Sequence, residues 1–231
     1  MDRDPIHHII LPRLVVVADG FVSGRTGMSA ADVRARVLAA VRAGVAWVQL
    51  RDYGSFGDAF GDEALRFAEA LRDAHPSVML SLSRRPDIAD GLAAGVHTGE
   101  GGPTLEEARD TVGPLQPLGY SAHTVEEADH ASKNGADYIF LGPVYSTTTH
   151  PGREPLGLDM LTEACHATRP VPVYAIGGVT PERAAEVHKA GAYGAAVLSG
   201  ILDADDVGEA VTAYLHALRP PSSPLDHPIR A

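Results

Sequence analysis

The groups best suited to chemistry in this chain fall just after short apolar runs. His123 follows the run Gly119–Ala122 and precedes Thr124. An imidazole gains and loses a proton near neutral pH, so this position suits an acid–base group. It equally suits a histidine that holds a loop by hydrogen bonds. Gly177–Gly178 and Ser199–Gly200 each close another apolar run. Missing side chains there let a phosphate reach backbone N–H groups, and nearby helix starts favour its charge. Tight turns alone would use the same residues. Arg51 ends the run Trp47–Arg51, where a guanidinium can grip an anion on two prongs or pair with an aspartate. Gln49, Ser121, Thr147 and Thr149 add polar groups in equivalent places. Hydroxyls of the threonine run either bind phosphate oxygens or are simply solvated. His97 and His150 join His123 near these run ends, but no HxH or HExxH spacing marks a zinc site, so no metal is expected.

Such groups act together only if the chain brings the run ends to one place. Eight β-rich runs recur, near Leu14–Ala18, Trp47–Arg51, Val78–Ser83, Val96–Thr98, Gly119–Ala122, Tyr138–Gly142, Val173–Gly177 and Ala195–Ser199. Several are continuously apolar, as expected of parallel strands buried on both faces. Helical segments alternate with them and carry start signals. Ser29 stands before AADVRARVLAAV, and Thr104 with Glu107 and Thr124 with Glu127 fit the capping-box spacing. Thr180 precedes a proline, Pro181, at a first helical position. Eight strands alternating with helices in 231 residues predict a single (β/α)₈ TIM barrel, about 250 residues being typical. A doubly wound open sheet is the competing arrangement. The barrel is expected over 1–218, with a flexible proline-rich tail over 219–231. In such barrels the loops after the strands form the site.

Composition narrows the partners. A formal charge of −11 leaves no basic excess to neutralise nucleic-acid phosphates. The single cysteine, Cys165, excludes an intrachain disulfide and a cysteine-cluster metal site. The first 20 residues are interrupted by Pro5, Pro12, Arg13 and Asp19 and do not read as a sorting signal. No apolar stretch is long enough to span a bilayer. A cytoplasmic protein with a small-molecule partner, no nucleic acid and no membrane is expected, and homo-oligomerisation is left open.

The segments WVQLRD (Trp47–Asp52), GVHTG (Gly95–Gly99), YSAHTVEEA (Tyr120–Ala128), ADYIFLGPVYSTTT (Ala136–Thr149), GLDML (Gly157–Leu161) and YAIGGVTPE (Tyr174–Glu182) occur in this order. Together they resemble the superfamily of thiamine phosphate synthases and TenI-type thiazole tautomerases, from about Leu14 to Ala217. The resemblance implies a phosphorylated heterocycle held by Gly177, Gly178, Ser199 and Gly200, with His123 at the tautomerase acid–base position. It is uneven. Synthases of this superfamily hold magnesium pyrophosphate with an Asn-Asp pair and a further Asp, and here Ser83-Arg84 and Gly102 stand at those places. Tyr53 and His150 replace two further basic residues. A neutral serine, a cationic arginine and a glycine are no substitute for two carboxylates as magnesium ligands. The expectation is therefore the tautomerase branch: an isomerase that needs no cofactor or metal and shifts a proton to aromatise a carboxythiazole phosphate. A divergent thiamine phosphate synthase and a non-catalytic binder of thiazole or thiamine phosphate are the alternatives.

Overall fold

The structure is a computed structural model that describes residues 10–55, 57–147 and 152–219. The apolar runs become Leu14–Asp19 (β1), Trp47–Arg51 (β2), Met79–Ser83 (β3), Gly95–Gly99 (β4), Leu118–Ala122 (β5), Tyr138–Leu141 (β6), Val173–Ile176 (β7) and Gly194–Val197 (β8). Each lies within one or two residues of its expected place. Successive strands pair in parallel, and β1 closes on β8 with Leu14 opposite Ala195. The sheet is thus a closed eight-stranded barrel, and the open-sheet alternative falls away.

Side-chain alternation decides what reaches the mouth. On β2, Trp47, Gln49 and Arg51 point one way, while Val48 and Leu50 point to the helices. Trp47 is inside, with its ring 4.7 Å from Tyr138 and 5.5 Å from Tyr174, both edge-on. Each such buried aromatic removes roughly 150–250 Å² from water, so these rings supply much of the interior's stability. Gly119 on β5 makes room for them, since a Cβ there would meet the Tyr138 ring at 2.1 Å. Two residues beyond Gln49, Arg51 emerges at the carboxyl end of the barrel.

Helices Ala30–Arg42 (α1), Asp58–Ala74 (α2), Pro86–Gly91 (α3), Leu105–Val112 (α4), Val125–Lys133 (α5), Gly157–Ala167 (α6), Pro181–Lys189 (α7), Ser199–Leu202 (α8) and Val207–Ala217 (α9) surround the strands. Ser29 caps α1, and Thr104 with Glu107 makes the full reciprocal box of α4. The Thr124 box is only half made. Thr124 Oγ1 accepts from Glu127 N at 3.1 Å, but the Glu127 carboxylate reaches one residue further back, to His123 N at 2.7 Å. Thr180 makes no side-chain cap. Among the described residues no helix is long and apolar enough to cross a membrane. Of the flexible tail expected over 219–231, residues 220–231 lie outside the described residues.

Candidate active site

A cavity of about 490 Å³ opens at the carboxyl ends of the strands. Of the residues singled out in the sequence, Arg51, Ser121, His123, Thr147, Gly177, Gly178, Ser199 and Gly200 border it. Gln49 does not; it is 2% exposed, one layer down in the barrel. Thr149 and His150 lie outside the described residues. The floor is apolar, built from side chains such as Val17, Phe140 and Ile176.

One side of the mouth is made by the loops after β7 and β8. Gly177 and Gly178 both have left-handed backbones, with φ of 88° and 64°. They also pack tightly: a Cβ on Gly178 would lie 2.6 Å from Ser146 O, and one on Gly177 would lie 2.6 Å from Pro143 Cβ. Their lack of side chains thus serves the packing of the β6 loop as well as the openness of the cavity. Gly200 is constrained from below, where a Cβ would meet the Tyr214 hydroxyl at 2.1 Å. That hydroxyl donates to Val179 O at 2.9 Å and ties α9 to the β7 loop. Among the described residues, no acceptor is found for the backbone N–H groups of Gly178, Ser199 and Gly200. Several such donors converging on one space suit a phosphate.

His123 sits after β5. Its backbone N–H is held by Glu127, as described above, and its Nδ1 lies 2.5 Å from Gly142 O. A carbonyl only accepts, so Nδ1 carries the hydrogen and donates. In the neutral ring this leaves Nε2 as an acceptor. His123 therefore does hold a loop, and it has a second nitrogen left for chemistry.

The third part of the rim is cationic. Arg51, Arg84 and Arg153 border the cavity, and Glu100 is the one carboxylate that does so among the described residues. Arg51 Nη2 donates to Asp19 Oδ2 at 3.0 Å, which is the bracing pair that the sequence allows. Asp52 faces elsewhere. Its two carboxylate oxygens accept from Val22 N, Ser23 N, Ser23 Oγ and Gly54 N at 2.7–3.0 Å, so it organises the loop after β1. A magnesium site needs hard oxygen ligands. Ser83, Arg84 and Gly102 supply no carboxylate, and a Cβ on Gly102 would already press on Thr98 Oγ1 at 2.8 Å. No group of three or more His, Cys, Asp or Glu side chains gathers anywhere among the described residues. The donor set does not fit a protein-held divalent cation.

His97 belongs to the interior rather than the rim. It is 2% exposed, with Nε2 2.8 Å from Ser121 Oγ and Nδ1 3.2 Å from Tyr138 Oη. Burial, then the charges of Arg51 and Arg84, push its pKa down to about 3. The ring is accordingly neutral at ordinary pH, and its bond to Ser121 fixes a hydroxyl at the cavity wall.

Sequence reasoning passed over Glu100, Arg153, Thr180 and Tyr214, all of which border the cavity. Tyr214 comes from α9, whose pattern signals only an amphipathic helix.

The family model described as thiamine monophosphate synthase matches residues 21–201, and the chain belongs to that family. The thiamine-phosphate synthase of Chloroflexus aurantiacus is 39% identical over 92% of this chain and 95% of that protein. The thiamine-phosphate synthase of Bacillus velezensis is 34% identical over 86% of this chain and 89% of that protein. Among solved structures, thiamine phosphate pyrophosphorylase from Pyrococcus furiosus superposes with a TM-score of 0.74 at 27% identity, covering 89% of this chain and 95% of that one. These relatives overturn the expectation of a TenI-type tautomerase and of an isomerase. The missing carboxylates misled it: absence of a metal site is a statement about one part of the rim, whereas likeness to synthases extends over nearly the whole chain.

Proposed function

We propose that this member of the thiamine monophosphate synthase family is a transferase that joins hydroxymethylpyrimidine diphosphate to thiazole phosphate. The observation that carries the proposal is a mouth with two anion-seeking sides. The loops after β7 and β8 offer backbone N–H groups with no acceptor among the described residues, and the end of β2 and the loop after β3 offer guanidiniums. In the closed strand order, β3 and β7 stand opposite each other. One phosphate and one diphosphate, each anchored at its own side, would bring their two rings together over the apolar floor. The likeness to synthases over nine-tenths of the chain supports the same reading.

The reaction itself is a substitution. The methylene–oxygen bond to the diphosphate breaks, and its electron pair leaves with the diphosphate oxygen. The thiazole nitrogen lone pair forms the new carbon–nitrogen bond. No proton is transferred in the balance, so the protein's task is to orient two substrates and stabilise shifting charge. Between the two anion sides, just after β5, His123 presents Nε2. In its neutral form it would accept from an N–H of the pyrimidine, an interaction that strengthens as positive charge spreads into that ring. The expected result is formation of thiamine phosphate and pyrophosphate in equal amounts from the two substrates, followed by chromatography. Failure to form either product from both substrates, with and without added magnesium, would overturn the proposal.

A further inference from the structure

Arg84 and Arg85 are neighbours after β3, and the fold uses them in opposite ways. Arg85 is taken up by Asp87, with Nε–Oδ1 3.0 Å and Nη2–Oδ2 2.9 Å. Arg84 has no carboxylate partner among the described residues, although Glu100 is close in the fold; its Nη2 instead donates to the Glu100 carbonyl at 2.6 Å. Its backbone is left-handed, with φ of 58°, and is held there by Arg84 N donating to His97 O at 2.9 Å. That conformation costs a residue with a Cβ on the order of 1–2 kcal/mol. Glycine or asparagine would occupy it more easily, so the reason for an arginine lies in its side chain.

The guanidinium of Arg84 lies 5.4 Å from the ring centroid of Tyr53, and that of Arg51 lies 5.5 Å from the same ring. One aromatic face system thus braces two cations that would otherwise repel. Asp19 is the carboxylate paired with Arg51, and it leaves the Arg51 Nε buried without a hydrogen-bond partner. A buried donor left unpaired is costly. Both arginines border the cavity, and their combined field also bears on His97, whose pKa they lower.

We infer that Arg51 and Arg84, braced on Tyr53, bind the diphosphate directly and carry its charge without a protein-held divalent cation. The inference rests on the condensation proposed above. Guanidinium forks match the paired oxygens of a diphosphate. As the methylene–oxygen bond breaks, charge gathers on the departing diphosphate, and the two cations stabilise it where it develops.

The test is calorimetric titration of inorganic pyrophosphate into the full chain, once in EDTA and once in magnesium chloride. Affinity in EDTA should be within about threefold of that with magnesium, a difference under about 1 kcal/mol. Arg84→Asn, whose side chain tolerates the left-handed backbone, should weaken metal-free binding by about tenfold or more, and Arg84→Lys by less. Pyrophosphate binding only when magnesium is present would overturn the inference, and so would unchanged binding by Arg84→Asn. Condensation assays in the same two buffers separate the two proposals. Turnover that strictly requires magnesium sinks this inference and leaves the transferase reading standing. Metal-free, Arg84-dependent pyrophosphate binding without turnover in either buffer supports the site and sinks the transferase reading.

Discussion

Replacing His123 by asparagine should lower turnover roughly 10²-fold or more while substrate affinity changes far less. Asparagine's amide nitrogen falls close to the place of Nδ1 and can keep the bond to Gly142 O. What it removes is Nε2, the atom offered to the pyrimidine. The substitution therefore separates the two uses of this residue, holding a loop and stabilising charge. His123→Gln is the complementary variant, since its amide oxygen reaches about as far as Nε2 and should recover part of the rate. Single-turnover rates with both substrates saturating, together with a melting curve, provide the check. Near-normal turnover in His123→Asn would reduce His123 to a loop-holding residue.

The second large effect is expected at Gly178. A methyl group there would lie 2.6 Å from Ser146 O and 2.8 Å from Tyr145 Cβ, on a backbone with φ of 64°. Gly178→Ala must displace either its own loop or the loop after β6, and strain of this kind costs on the order of 1–3 kcal/mol. The N–H of the glycine, which has no acceptor among the described residues, shifts with it. The Michaelis constant for thiazole phosphate should rise about 10–100-fold, the equivalent of those energies. The same thiazole without its phosphate should show almost no change between wild type and variant, because it never uses these donors. Equal losses for both forms would mean that the glycine serves loop packing alone.

Much of the fold was legible because parallel strands buried on both faces read as unbroken apolar runs. RLVVVA and DYIFLG could hardly be anything else, and eight β-rich runs, several of them unbroken, alternating with capped helices left little choice of architecture. The exceptions are local. Helix α8 has only four residues, too few for a period to show. The Thr124–Glu127 spacing was visible, but the one-residue shift that turns Glu127 onto the backbone of His123 depends on the loop's path.

The site was legible by residue type and poorly legible by direction. The glycine loops, His123 and Arg51 stood out because strand ends in a barrel share one mouth. Gln49 has the right type and strand, but it sits one turn of the alternation too deep. Arg84 is the instructive case. Read as a letter, it is a lost magnesium ligand and argues against a synthase. Seen beside Tyr53 and Arg51, it is a charge in the place where a charge of that sign is useful. A missing ligand and a substituted one look the same until the neighbours are known. Tyr214 left no signal at all, for nothing in α9 says that one hydroxyl will reach beneath Gly200.

A crystal of the full chain grown with thiamine phosphate and pyrophosphate together tests the two-sided mouth most directly. The account predicts the phosphate ester against the backbone of Gly177–Gly178 and Ser199–Gly200, pyrophosphate against Arg51 and Arg84, and the pyrimidine ring within hydrogen-bonding reach of His123 Nε2. Pyrophosphate seated on the glycine loops, or a pyrimidine ring turned away from His123, would contradict it.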